Sequence, residues 1–110
     1  IYHNNRCRNS REGLETVQAS DQPYVVIDYI SNPLDATELK EIITILGIVP
    51  IDLVRKNEAI WKSDYKGKEF SDHELIEAMA AHPKLIERPI VIHNNKGVIG
   101  RPNERILDIL

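Results

Sequence analysis

The stretch Ile90-Val91-Ile92-His93-Asn94-Asn95-Lys96-Gly97-Val98-Ile99 constrains the fold more than any other part of the chain. Ile90 to His93 reads as a buried strand and Val98-Ile99 as its return, with Asn94-Asn95-Lys96-Gly97 between them supplying the residue types that reverse a chain tightly. A hairpin makes at least part of the sheet antiparallel. Whatever else the chain forms must be compatible with that.

The opening of the chain supplies more of the sheet. Ile1-Tyr2-His3 reads as the tail of a first strand and Asn4 to Asn9 as a polar loop, with Ser10 the expected N-cap of a helix through Glu12, Leu14, Val17 and Gln18 that ends near Ser20-Asp21. Val25 to Tyr29 is β-branched and bounded by Pro23 and the Ser31-Asn32-Pro33 turn, which predicts a second strand. Leu39, Ile42, Ile43 and Leu46 recur at the spacing of one helical face and stop at Gly47. From Pro50 to Lys68 the pattern breaks into short helical pieces, Ile51 to Val54 and Glu58 to Trp61, and a polar loop around Asp64 to Gly67. Ser71 and Glu74 then form a capping box leading into Leu75, Ile76 and Met79, in a helix expected to end near His82 ahead of Pro83. A last helix is expected to turn Ile106, Leu107 and Leu110 inward. The order β-α-β-α, helices, β-β-α predicts a thioredoxin-like α/β fold: a small mixed central sheet flanked by helices, with an extra helical segment in the middle. No linker or repeat interrupts residues 1–110, which are read as a single domain.

Charge and cysteine usage narrow the function. A net charge of −3 argues against general nucleic-acid binding, so any anion site must be local, built from a few converging arginines. One cysteine cannot close an internal disulfide, which favours a reducing, cytoplasmic setting. No apolar run approaches the roughly 20 residues of a membrane-spanning helix. His3, His73, His82 and His93 show no metal-ligand spacing, and no metal site is expected. Trp61 and Tyr65 read as packing residues.

That cysteine, Cys7, sits among Arg6, Arg8, Asn9, Ser10 and Arg11 at a strand-to-helix loop. A lone cysteine is commonly a small buried hydrophobe, but these neighbours do not suit an apolar core. The alternative is a reactive thiolate: a helix N-terminus and nearby cations lower a thiol's pKa, and free N–H groups from Cys7 to Arg11 would cradle an anion. Arg55, Arg88 and Arg101 lie at the ends of elements, where function concentrates, although surface ion pairing is open to each. Pro89 opens a central strand, for which a cis Arg88-Pro89 bond is one explanation.

Four separated strings, HNNRCRNSR (3–11), LVRKN (53–57), HPKLIERPIVI (82–92) and GRPNERILDIL (100–110), resemble the glutaredoxin-coupled arsenate reductase family over essentially the whole chain. The resemblance implies that Cys7, in Cys-x-x-Ser-Arg, is the nucleophile and that Arg55, Arg88 and Arg101 bind the oxyanion. It implies that His3 helps keep the thiol ionised, that Ser10 and Arg11 are the serine and arginine of the motif, and that Pro89 is the cis-proline of thioredoxin-like folds. Arsenate would be the substrate, glutathione the co-substrate with no bound cofactor, and glutaredoxin the protein partner. Asn5 stands where the family commonly has proline, and Arg8 and Asn9 replace smaller residues; these departures bear on substrate preference.

Three other readings share part of this pattern. A cysteine phosphatase needs its arginine six positions after the cysteine, whereas Arg11 comes four after and position 13 is Gly13. Redox-sensing regulators that bind RNA polymerase typically carry a Cys-x-x-Cys switch, and here Ser10 takes the second position. A glutathione-linked thiol protein with a different substrate is the third.

Overall fold

The structure, a computed structural model, describes residues 1–110. The hairpin forms as expected in kind: β3 (Ile90–His93) pairs antiparallel with β4 (Lys96–Ile99), in the register Ile90 to Ile99, Val91 to Val98, Ile92 to Gly97 and His93 to Lys96. The turn is tighter than the expected four residues. Asn94 and Asn95 both take positive φ (50° and 61°), the left-handed pair that matches strand twist in a two-residue turn, so Lys96 and Gly97 are released into β4.

Two compact units make up the chain. The first comprises residues 1–32 and 88–110. Its sheet has the order β2-β1-β3-β4, where β1 (Tyr2–His3) runs parallel to β2 (Ile27–Asp28) and antiparallel to β3. The sheet is therefore mixed, as the hairpin and the β-α-β opening together require. β2 is shorter than the expected Val25 to Tyr29. The Asp28 carboxylate accepts the N–H groups of Ile30 at 3.1 Å and Ser31 at 3.0 Å, an Asx-type turn that ends the strand, while Tyr24, Val25 and Val26 stay exposed.

Helix α1 (Arg8–Ala19) begins one turn earlier than expected, with Cys7 and not Ser10 as its N-cap residue. The Cys7 carbonyl accepts the Arg11 N–H at 3.0 Å, and the Ser10 hydroxyl is committed elsewhere and cannot cap. Beneath the sheet, Val17, Val91 and Ile106 form a buried cluster, with Ile1, Val98, Ile109 and Leu110 packed on it. The C-terminal element is a 310 helix (Asn103–Asp108). Its three-residue period aligns Ile106 with Ile109, so Leu107, expected inside, faces solvent at 58% exposure.

The second unit, residues 33–87, is helical. α2 (Ala36–Leu46) opens on a capping box between Asp35 and Glu38 and closes on Gly47, whose φ of 67° is the left-handed conformation that glycine adopts without penalty. α3 (Pro50–Leu53) matches the expected short piece. The next piece runs further than expected, as a π turn over Trp61–Tyr65 that takes in Asp64. Trp61 and Tyr65 stack with ring centroids 5.6 Å apart, consistent with a packing role. α4 (Asp72–Ala81) starts at the Ser71–Glu74 capping box and ends at His82. It packs against α2, α3 and the 310 turn Pro83–Leu85, burying Leu39, Ile42, Leu53, Leu75, Ile76, Met79 and Leu85. An antiparallel bridge between Val54 and Ile86 ties the end of α3 to the last residues of this unit. No helix is long and apolar enough to cross a membrane.

Candidate active site

Cys7 is half-buried at the start of α1. The loop before it is closed by its own backbone, with the Cys7 N–H donating to the Asn4 carbonyl at 3.0 Å. Two N–H groups of the expected anion cradle are thus already used, that of Cys7 by Asn4 and that of Arg11 by Cys7. The N–H groups of Asn9 and Ser10 are the ones that reach the sulfur.

Burial pushes the Cys7 thiol up. Hydrogen bonding from the Arg88 guanidinium, the Ser10 and Asn9 N–H groups and the positive charge of Arg88 outweigh it and bring the pKa down to about 7. A free thiol at ~8.5 is roughly 3% ionised at pH 7; Cys7 is about half ionised.

The cations responsible are not those beside Cys7 in sequence. Arg8 bonds Glu12 at 3.0 Å with its side chain 85% exposed. Arg6 is exposed, and Arg11 donates from Nη1 to the Asn5 carbonyl at 2.9 Å, which braces the loop. Arg88 is buried at 7% exposure, next to the cis Arg88-Pro89 bond. Arg101 places Nη2 3.8 Å from Cys7 Sγ, while its Nε donates to the Arg88 carbonyl at 2.9 Å. The two arginines delivered by β3 and by the end of β4 are therefore locked to one another.

His3 does not reach the thiol directly. Its Nδ1 lies 2.7 Å from Ser10 Oγ, which also accepts the Asn4 N–H at 2.9 Å. Burial, reinforced by Arg11, holds the His3 pKa below its ordinary value despite the opposing pull of Ser10 and Asp28. A neutral imidazole at pH 7 orders Ser10, whose N–H supports the sulfur; the positive charge comes from Arg88.

The structure thus brings together Cys7, His3, Ser10, Arg88, Pro89 and Arg101 in the first unit, with Arg11 at the loop's edge. Arg55 lies in the second unit, where it pairs with Glu58 at 3.3 Å and its N–H donates to the Leu85 carbonyl at 2.6 Å. Three features were not read from the sequence. Arg101-Pro102 is also cis. Gly13 and Gly100 make close packing around Pro89 possible: a Cβ on Gly13 would stand 2.6 Å from Pro89 Cγ, and one on Gly100 2.9 Å from it. With its amide oxygen turned toward Arg101, Asn9 also accepts from that guanidinium. For the glycines, the available signal was their position, one in mid-helix where the residue costs stability and one at a strand's end.

A mixed sheet entered through a cis-proline, with one ionisable thiol at the start of the first helix, defines a thioredoxin-like protein with a single cysteine. The ArsC family model matches residues 2–109, and the chain belongs to that family. It is 40% identical to the uncharacterized protein YfgD of Escherichia coli K12, over all of this chain and 94% of that protein. It is 35% identical to an arsenate reductase of Neisseria meningitidis serogroup A, over all of this chain and 96% of that protein. The structure of an arsenate reductase from Vibrio cholerae superposes with a TM-score of 0.93 at 40% identity, covering 99% of this chain and 94% of that one.

Proposed function

We propose that this chain is an arsenate reductase that uses glutathione and glutaredoxin, with Cys7 as its nucleophile. The observation that carries the reading is the thiol itself: half ionised near neutrality, hydrogen-bonded by Arg88 and faced by Arg101 Nη2 at 3.8 Å. Two guanidinium forks beside a thiolate suit a tetrahedral oxyanion, because planar donors pair with two of its oxygens at once.

In the proposed cycle the Cys7 thiolate attacks arsenic, an S–As bond forms, and one arsenate oxygen leaves as water after protonation. Arg88 and Arg101 hold the oxyanion charge. His3 and Ser10 order the loop that presents the sulfur, Arg11 braces it, and Pro89 shapes the wall of the site. The thiolate of glutathione then attacks the Cys7 sulfur. The S–S bond forms, the S–As pair passes to arsenic, and arsenite leaves. Glutaredoxin resolves the mixed disulfide by thiol exchange. Ser10 in place of a second cysteine supports an external resolving thiol, and glutathione as co-substrate fits a cytoplasmic setting.

The test is arsenate reduction by wild type and Cys7→Ser, each supplied with glutathione plus glutaredoxin or, separately, with thioredoxin. Turnover by wild type with the first pair only, abolished in Cys7→Ser, is expected. Retained turnover in Cys7→Ser would eliminate the mechanism, and equal turnover with thioredoxin alone would eliminate the choice of reductant.

A further inference from the structure

Asn9 occupies the second position of α1, two residues after Cys7, and is half-buried. With its amide oxygen turned toward Arg101, Oδ1 accepts from Nη1 at 2.9 Å and from Nη2 at 3.1 Å. The Arg101 guanidinium is then gripped along its whole outline: Nε on the Arg88 carbonyl, Nη1 and Nη2 on Asn9, and Nη2 also on Cys7 Sγ.

The backbone that carries Arg101 is placed without Asn9. The Gly100 N–H donates to the Pro89 carbonyl at 2.8 Å and the Arg101 N–H to the Ile99 carbonyl at 2.8 Å. Just beyond, Asn103 Nδ2 donates to Thr16 Oγ1 at 2.7 Å, which ties the following 310 helix to α1. What Asn9 decides is therefore where the end of the side chain points. Without Asn9 the rigid guanidinium plane, held by Nε on the Arg88 carbonyl and by the longer 3.8 Å contact to Cys7, can still rock about the Nε bond, whereas two bonds to one amide oxygen fix its tilt.

We propose that Asn9 is a positioning residue: it holds the Arg101 guanidinium with its Nη2 edge against Cys7, so an incoming anion meets the thiolate and a pre-oriented cation together. Asn9 thereby sets the preference of Cys7 for anionic over neutral electrophiles. The proposal rests on Cys7 as nucleophile and Arg101 as anion ligand, but not on the anion being arsenate.

Alkylation of Cys7 by iodoacetate and by iodoacetamide reads this preference directly. In both reactions the thiolate displaces iodide and forms an S–C bond; only the charge of the reagent differs. We expect Asn9→Ala to lower the iodoacetate-to-iodoacetamide rate ratio about three- to tenfold, the scale of one or two hydrogen bonds. Arg101→Ala should lower it at least as far, and the double variant no further than Arg101→Ala alone. Asn9→Ser, with a shorter acceptor, should fall between wild type and Asn9→Ala. An unchanged ratio in Asn9→Ala overturns the proposal, as does an equal Asn9→Ala effect with Arg101 already removed. The ratios are measured without arsenate, so they decide the matter whether or not wild type turns arsenate over.

Discussion

His3 Nδ1 and Ser10 Oγ lie 2.7 Å apart in the buried floor of the Cys7 loop, and the same hydroxyl takes the Asn4 N–H at 2.9 Å. Ser10 is completely buried and His3 nearly so, so removing the hydroxyl leaves the imidazole nitrogen without its partner in a buried setting. Ser10→Ala should cost about 2 kcal/mol, the scale of leaving buried polar groups unsatisfied. Urea unfolding measures this. A loss below about 0.5 kcal/mol would show that the pair contributes no more than an exposed contact.

The neutral state of His3 has a signed consequence for stability. Its folded pKa lies below the ordinary value, so the unfolded chain binds the proton first as the solution is acidified. The contribution is fully present above the unfolded value of about 6.5 and is lost as pH falls through the folded one. Thermal melts from pH 7.5 down to 5 should show this decline in wild type and a shallower one in His3→Gln. Identical slopes would remove His3 as its source.

Reactivity of Cys7 should follow ionisation with a midpoint near pH 7. Below that pH the thiolate is protonated and the alkylation rate falls; above it the rate levels off. In Arg88→Ala the sulfur loses a hydrogen bond and a positive charge while its burial remains, so the midpoint moves up toward or beyond the ~8.5 of a free thiol. Thiolate absorbance near 240 nm followed against pH gives both midpoints. An unmoved midpoint would return the assignment to the arginines adjacent in sequence.

Gly13 sits in the middle of α1, where alanine would ordinarily gain about 1 kcal/mol. Here the new methyl would stand 2.6 Å from Pro89 Cγ and 3.2 Å from Ile106 Cδ1. Neither the proline ring nor the buried Ile106 side chain can swing aside freely. Gly13→Ala should therefore destabilise by about 1–3 kcal/mol, the usual penalty for overpacking. A rise in melting temperature would mean that helix propensity prevails at this site.

Much of the architecture was legible because its causes are local. The Ser71–Glu74 capping box, the Gly47 stop, the apolar face of α2 and the β3–β4 hairpin each depend on residues within a turn or two of one another, where propensity and periodicity act. The resemblance to a known family added Arg88, Arg101 and Pro89 as members of one site. Local signals misled where a side chain had a remote competitor. Ser10 reads as an N-cap until His3 and the Asn4 N–H claim its hydroxyl, and Leu107 reads as core until the last element winds as a 310 helix.

The sequence by itself determined that this chain has one thiol, no internal partner for it, and a strand-to-helix loop to carry it. Only the tertiary structure decided which charges meet that thiol. Arg6, Arg8 and Arg11 are adjacent but turn to solvent, to Glu12 and to the loop backbone, whereas Arg88 and Arg101 arrive from the far end of the chain. The physical reason lies in the sheet. Pairing β3 against β1 and β4 against β3 brings both strand ends to the start of α1, and that convergence is a property of the closed fold that no neighbouring residue encodes.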